Sequence, residues 1–313
     1  MKINQDLKIL YEDFEKNHFQ KLKTLKTKEL IFKTIFVISI IFLIIDFLAI
    51  IGLGINKWLV ILFIVFSIIL SISVFNKKNN YSKYYKLNII KPLIDLIFDK
   101  SKFNISQNYD SEKYTLCNWG YFSYYTAYDS ITTKVFDYDL ELYNVYTSWQ
   151  NNAENNRVEF GGIFGYVNLN KNYDGSFKII KSKGKGTTFD DLFNSKNEIN
   201  NDLKEFLKEF YLKNNYGIDI FIQDDFLYFR LHSFEPFEPN MIKDNYKKIE
   251  EVYNILNNIK ELLMYLLKYL ENNDIKLIEK ETVEKNTYNN SKSFYQNIKQ
   301  IAEENLKEQK KKK

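Results

Sequence analysis

Apolar and polar positions fall into three regimes along the chain. Residues 3–30 place Ile3, Leu7, Leu10, Phe14, Leu22 and Leu25 at helical intervals with charges between them, which predicts an amphipathic helix. From about 34 to 55 and from 58 to 75 the chain is almost continuously apolar, with "GLGINK" between the two runs. Runs of about 22 and 18 residues reach roughly 33 and 27 Å as helices, against a hydrocarbon core of about 30 Å. The expectation is a transmembrane helical hairpin.

Beyond "KPLIDLIF" (91–98), a short helix opened by Pro92, the period shortens to two. "YDLELYNVY" (138–146) and "RVEFGGIFGYVNLN" (157–170) read as strands, and Asp174 and Gly175 in "NYDGSFKII" mark a hairpin turn. "GIDIFIQDDFLYFRLH" (217–232) predicts two more strands reversing at Asp224 and Asp225. Between them, 198–211 reads as helix. From 244 to 272, Ile249, Val252, Leu256, Ile259, Leu263, Leu266 and Leu270 alternate by three and four, a coiled-coil spacing. Ile255, Leu262 and Leu267 widen that stripe and favour packing within the chain over self-association.

The fold class expected is therefore α+β: an N-terminal transmembrane helical hairpin, then a mixed, mainly antiparallel sheet domain with a long C-terminal amphipathic helix. The corresponding division is an amphipathic cytosolic helix at 1–30, the hairpin at 31–76, a basic juxtamembrane and linker helix at 77–113, the α+β domain at 114–273 and a polar basic tail at 274–313.

Charge sets the orientation of such a hairpin. Lys21, Lys23, Lys26, Lys28 and Lys33 precede it, Lys77, Lys78, Lys83, Lys86 and Lys91 follow it, and the turn holds Lys57. The positive-inside bias puts both termini in the cytoplasm of a bacterial inner (plasma) membrane, multi-pass, with Lys28, Lys33, Trp58, Lys77 and Lys78 at the interface. Asp46 is then an intramembrane carboxyl, either hydrated near the outer face or serving an oligomer contact or ion path. The net charge of +4 in 313 residues carries no basic stripe of the kind nucleic acid requires. Cys117, the single cysteine, excludes an intrachain disulfide.

Two N-terminal apolar runs, "FDYDLELYNVY", "EFGGIFGYVNLN" and "DIFIQDDFLYFRLHSFEPFEP" together resemble a bacterial family of unknown function. In that family a membrane hairpin precedes a cytosolic domain with an F-x-G-x-F-type strand, here Phe160, Gly162 and Phe164. A Phe-Glu-Pro segment follows, here Phe234, Glu235 and Pro236 or Phe237, Glu238 and Pro239. The resemblance implies this architecture and brings no catalytic residues.

Candidate chemistry is sparse. His18 and His232 are the two imidazoles, too few for a histidine-based multinuclear metal site. "HSFEPFE" offers His232, Glu235 and Glu238 as weak catalytic candidates, set against a structural turn with Phe234 and Phe237 buried. "KSKGKGTTFDD" fails the phosphate-loop spacing because Gly186 follows Lys185. The tyrosine- and phenylalanine-rich strands read as core. No cofactor or metal is expected. The balance is against an enzyme and in favour of a membrane-anchored binding or scaffold module whose partners are membrane lipids and either another protein or itself. The alternatives are a membrane-attached, hydrolase-like enzyme using the His232 region and a small oligomeric channel built on Asp46.

Overall fold

The computed structural model describes residues 5–53, 57–107, 109–120, 122–150, 156–182, 186–195, 197–233, 236–238 and 245–273. Ile3, the 54–56 turn, Phe234, Glu235, Pro239 and the polar tail expected at 274–313 lie outside them.

The chain opens with α1 (Gln5–Asn17) and, after a single break at His18, α2 (Phe19–Leu53). The break is slight, since His18 N–H still reaches the Phe14 carbonyl and Leu22 N–H reaches that of His18. An antiparallel return follows as α3 (Lys57–Tyr85). Ser39, Ser67 and Leu70 close the seam between α2 and α3, while large apolar side chains on both helices stand open. Among the described residues no helix is long and apolar enough to cross a membrane. That finding overturns the expected spans at 34–55 and 58–75, and with them the multi-pass inner-membrane placement and the lipid contacts. Both helices run far past the apolar segments into charged ones: the first half of α2 alone carries Lys21, Lys23, Lys26, Lys28, Glu29 and Lys33. We call the α2–α3 pair the arm and the remainder the head.

The arm enters the head through a wide π-helical turn, Lys86–Ile90, whose Lys91 N–H bonds the Lys86 carbonyl five residues back. Pro92 explains it. Lacking an N–H and crowding the carbonyl four residues earlier, proline forces the helix to widen before α4 (Lys91–Ile97) can start.

The head is built on β1 (Lys102–Gln107), α5 (Glu112–Leu116), β2 (Tyr124–Val135), β3 (Tyr138–Gln150), β4 (Asn156–Lys181), α6 (Phe189–Leu192), β5 (Phe193–Ser195), α7 (Asn201–Asn214), β6 (Ile218–His232) and α8 (Asn245–Asn272). Among the described residues all six strands join one sheet whose pairings are antiparallel, where a mixed sheet was expected. β1, inside the segment read as linker, is its edge.

β6 doubles back on itself. Asp219 and His232 are 13 positions apart, roughly 43 Å along a straight strand, yet their side chains meet at 3.0 Å. His232 N–H also bonds the Gly217 carbonyl at 2.8 Å. The reversal falls at Asp224, in the left-handed region at φ 56°, and Asp225, where the sequence signalled it.

β4 does something the sequence did not signal. Its first half pairs with the second half of β6, from Gly162–His232 to Asn168–Phe226, and its second half pairs with the first half of β6, from Ser176–Gln223 to Ile179–Ile220. The two halves of β4 therefore flank the β6 hairpin, and residues 169–175 pass around its tip, where Tyr173 faces Asp224. Asn170 (φ 53°) and Gly175 (φ 133°) turn the corners. The tight hairpin expected at Asp174 and Gly175 is thus a wide wrap; the same residue types serve both, because both need positive φ.

Alternation divides the sheet into two unlike faces. Ile131, Leu142, Ile163, Val167, Ile220, Leu227, Phe229 and Leu231 join α1, α4, α7 and α8 in the larger core. Ile249, Val252, Leu256, Ile259, Leu263, Leu266 and Leu270 are all buried there, so the α8 seam is satisfied within the chain and is not a coiled coil between copies. The opposite face is aromatic: Phe160, Phe164, Tyr166, Phe221 and Tyr228 pack with Tyr114 and Cys117 under α5.

At Gly162, β4 packs tightly against the end of β6. A Cβ there would collide with the Leu231 carbonyl and meet Ser233 N at 2.7 Å, at a backbone φ of +158°. Gly162→Ala is expected to cost about 2–4 kcal/mol, as strain combined with overpacking. A urea titration checks it: the midpoint falls while the slope stays that of the parent.

Candidate functional site

Asp219 sits in "IDIFI", where its neighbours Ile218 and Ile220 face the helical core. Alternation throws its side chain onto the aromatic face, and the hairpin brings Arg230 and His232 opposite. Asp219 is fully buried. Its Oδ2 accepts from Arg230 Nε and contacts His232 Nε2 at 3.0 Å, and its Oδ1 accepts the Lys181 N–H at 2.5 Å. Burial by itself would raise the Asp219 carboxyl. The His232 hydrogen bond, the Arg230 and His232 charges and the Lys181 N–H outweigh it and hold the group below the ordinary carboxylate range.

Arg230 donates its second bond to the Tyr114 hydroxyl at 2.9 Å and lies over the Trp119 and Phe160 rings at 4.9 and 5.0 Å. Burial works against its charge, and Asp219 more than restores it. Tyr114 is the hub of the aromatic layer, in ring contact with Trp119, Phe122, Tyr125, Phe160 and Phe164. The polar trio thus ties both halves of β6, the end of β4 and α5 together. His232 is its one partly open member, its ring edge-on to Phe160 and its side chain 36% exposed. Chemically, the carboxylate orients an accessible imidazole, the positioning half of an acid–base pair.

Glu238, the other described candidate, lies elsewhere. It bonds Lys86 of the π-helical turn at 2.6 Å, and Lys86 also meets Asp129 at 2.6 Å. The corner at Pro236 and Phe237, both buried, sends His232 to the aromatic face and Glu238 to the base of the arm. The His232–Glu235–Glu238 constellation is therefore not assembled from its described members. Asp219, which sequence reasoning missed, holds His232, and Lys86, read there only as a flanking charge, holds Glu238. The signal for Asp219 was present: a lone carboxylate in an apolar alternating run needs a buried partner, and Arg230 and His232 share one face.

No family model, curated protein or solved structure matches this chain. The resemblance to the membrane-hairpin family accordingly falls. Its quoted residues have local explanations: Phe160 and Phe164 fill the aromatic layer, and Gly162 admits the Leu231 carbonyl.

The other residues singled out in the sequence are dispersed. Lys33 pairs with the buried Glu29 at 2.6 Å, Lys28 is exposed and Trp58 is 75% exposed. Asp46 lies within α2, and Lys77 and Lys78 within α3, but their side chains are outside the described residues. Cys117 is buried, donates to the Lys113 carbonyl at 3.3 Å, and has its thiol pushed up by burial, which makes it inert. Among the described residues no group of three or more His, Cys, Asp or Glu is placed to hold a metal.

Asp219→Ala leaves Arg230 buried without its carboxylate and is expected to cost about 3–5 kcal/mol. Because the folded-state pKa of Asp219 is depressed, its contribution is full above the unfolded value near 3.9 and is lost as pH falls through the lower folded value. Acid titrations of unfolding check the sign: Asp219→Asn, measured against the parent, flattens the loss of stability below about pH 4.

Proposed function

We propose that the chain works by assembly: the arm associates with the arms of other copies and so presents several heads together. One observation supports this above the others. Ile38, Ile41 and Ile45 on α2 and Leu62, Val65 and Ile69 on α3 each stand about half exposed, and they belong to a larger set spread over both helices. Together these residues open on the order of 1,000 Å² of apolar surface, against the few hundred that a monomer ordinarily leaves open. A helix that is apolar around its circumference is stable only when something buries it.

A second copy suits this surface on size and geometry. A specific interface needs about 800 Å² from each partner. The α2–α3 seam is already closed within the chain by Ser39, Ser67 and Leu70, so each arm is a ready-made pair of helices. Two such pairs complete a four-helix bundle. The α8 seam, the other element with assembly spacing, is already used inside the head. The head adds the partly open His232 imidazole beside Asp219, which repeated copies would display at several points.

Light scattering on the full chain in lipid-free buffer tests the proposal. The parent is expected at a multiple of 37.6 kDa. Ile41→Asp combined with Val65→Asp is expected to weaken association at least 100-fold, about 2.7 kcal/mol. Both positions are exposed, so near-UV circular dichroism should be unchanged. A monomeric parent, or one that floats as a monomer with lipid vesicles in place of self-associating, overturns it.

A further inference from the structure

We propose that Lys86, Asp129 and Glu238 form a proton-operated clasp between arm and head: one ammonium facing two carboxylates, charge-balanced when the acids hold one proton and left with an excess negative charge when they hold none. Three elements meet there. Lys86 is on the π-helical turn that ends the arm, Asp129 on the bulge that interrupts β2 between Tyr128 and Ile131, and Glu238 on the corner after β6. Lys86 Nζ stands 2.6 Å from Asp129 Oδ2 and 2.6 Å from Glu238 Oε1. Lys86 and Asp129 are buried, and Glu238 is about a quarter open, which gives protons a route in.

The described residues that touch the three add no second cation. Ser82 donates to Glu238 Oε2 at 3.5 Å, and the Tyr128 ring lies 5.4 Å from the ammonium. Tyr85, also buried, has its hydroxyl held neutral by burial first and then by Tyr81, Glu238 and Glu251, the last of these on α8. Glu251 carries its own ammonium, Lys248, at 3.5 Å, so the clasp itself holds one positive group and two carboxylates. Asp129 responds accordingly. Burial pushes its carboxyl up to about 6, Lys86 opposes the rise and Glu238 adds to it.

Asp129 is an acid with a raised folded-state pKa, and that fixes the sign. Its favourable contribution is complete below the unfolded value near 3.9 and disappears as pH rises through about 6. The clasp is closed in mild acid and slackens toward neutrality. Two features let the slackening move something. The π-helical turn is a single wide turn that Pro92 keeps from tightening into the α-helical ladder, and Asp129 lies on the bulge where the pairing of β2 with β3 is interrupted. The inference is independent of assembly, because none of its residues lies on the open faces of the arm.

Hydrogen exchange on amides 82–91 of the full chain, corrected for intrinsic rates, tests it at pH 5.0 and pH 7.5. Protection is expected to fall about tenfold or more at the higher pH. Glu238→Gln leaves one carboxylate per ammonium and should remove that difference; Asp129→Asn should keep protection high at both. Equal protection in the parent at the two pH values overturns the clasp, as does an undiminished difference in Glu238→Gln. Repeating the comparison in the Ile41→Asp, Val65→Asp chain separates the ideas. A difference that persists there belongs to the clasp, and one that vanishes belongs to association and overturns it.

Discussion

A single buried carboxylate sets the register of the head. Asp219 faces Arg230 and His232 across the β6 hairpin, and Arg230 reaches on to Tyr114. Slipping one strand by a residue would turn Asp219 into the apolar core on the helical side, where nothing could pair it. The ion pair need not add net stability over an apolar substitute, since desolvating both charges offsets much of their attraction. What it supplies is discrimination: one alignment of the two β6 halves satisfies it. The embrace by β4 follows, because both halves of β4 take their register from β6.

The two faces of the sheet then take different tasks. The helical side is a conventional apolar core, filled by α8 and its neighbours, and would tolerate exchange among aliphatic residues. The aromatic side is thinner, covered by α5 and the segment around Trp119, and depends on directed contacts. Glu141 accepts from both the Tyr143 and Tyr166 hydroxyls, while Lys113 lies 3.7 Å over the Tyr166 ring. Burial lowers the Lys113 ammonium, and Glu141, Asp225 and Glu112 pull the other way. Charge on this face is thus held by rings and tyrosine hydroxyls.

Legibility in the sequence follows the range of the interaction. α7 and α8 were readable because helical spacing is local, and the α7 N-cap, Asn200 accepting from Leu203 N–H, lies where the pattern begins. The β6 reversal was readable from Asp224 and Asp225. The wrap of β4 was not: whether Asn170 and Gly175 close a tight turn or round the tip of another hairpin depends on a strand much further along the chain. β1, "KFNISQ", was missed because a short edge strand with little apolar content resembles a linker. At the site, His232 and Glu238 were singled out for being close in sequence, but the corner at Pro236 parts them, and their true partners are 13 and 152 positions away.

The arm shows the same limit from another side. The length and apolarity of a run measure how strongly it demands burial, and they are silent on what does the burying. At 34–55 and 58–75 the demand is plain in the residues, yet among the described residues no helix is long and apolar enough to meet it by crossing a membrane. Within the chain, among the described residues, the demand is met along the seam of Ser39, Ser67 and Leu70. The arm's charged ends are tied down more fully: Glu29 takes Lys26 and Lys33, Lys26 and Lys21 lie over the Tyr81 and Tyr84 rings, and Lys86 is divided between Asp129 and Glu238. An element fixed so firmly at its base and left so open along its length has its position set by the head and its stability set by whatever covers it.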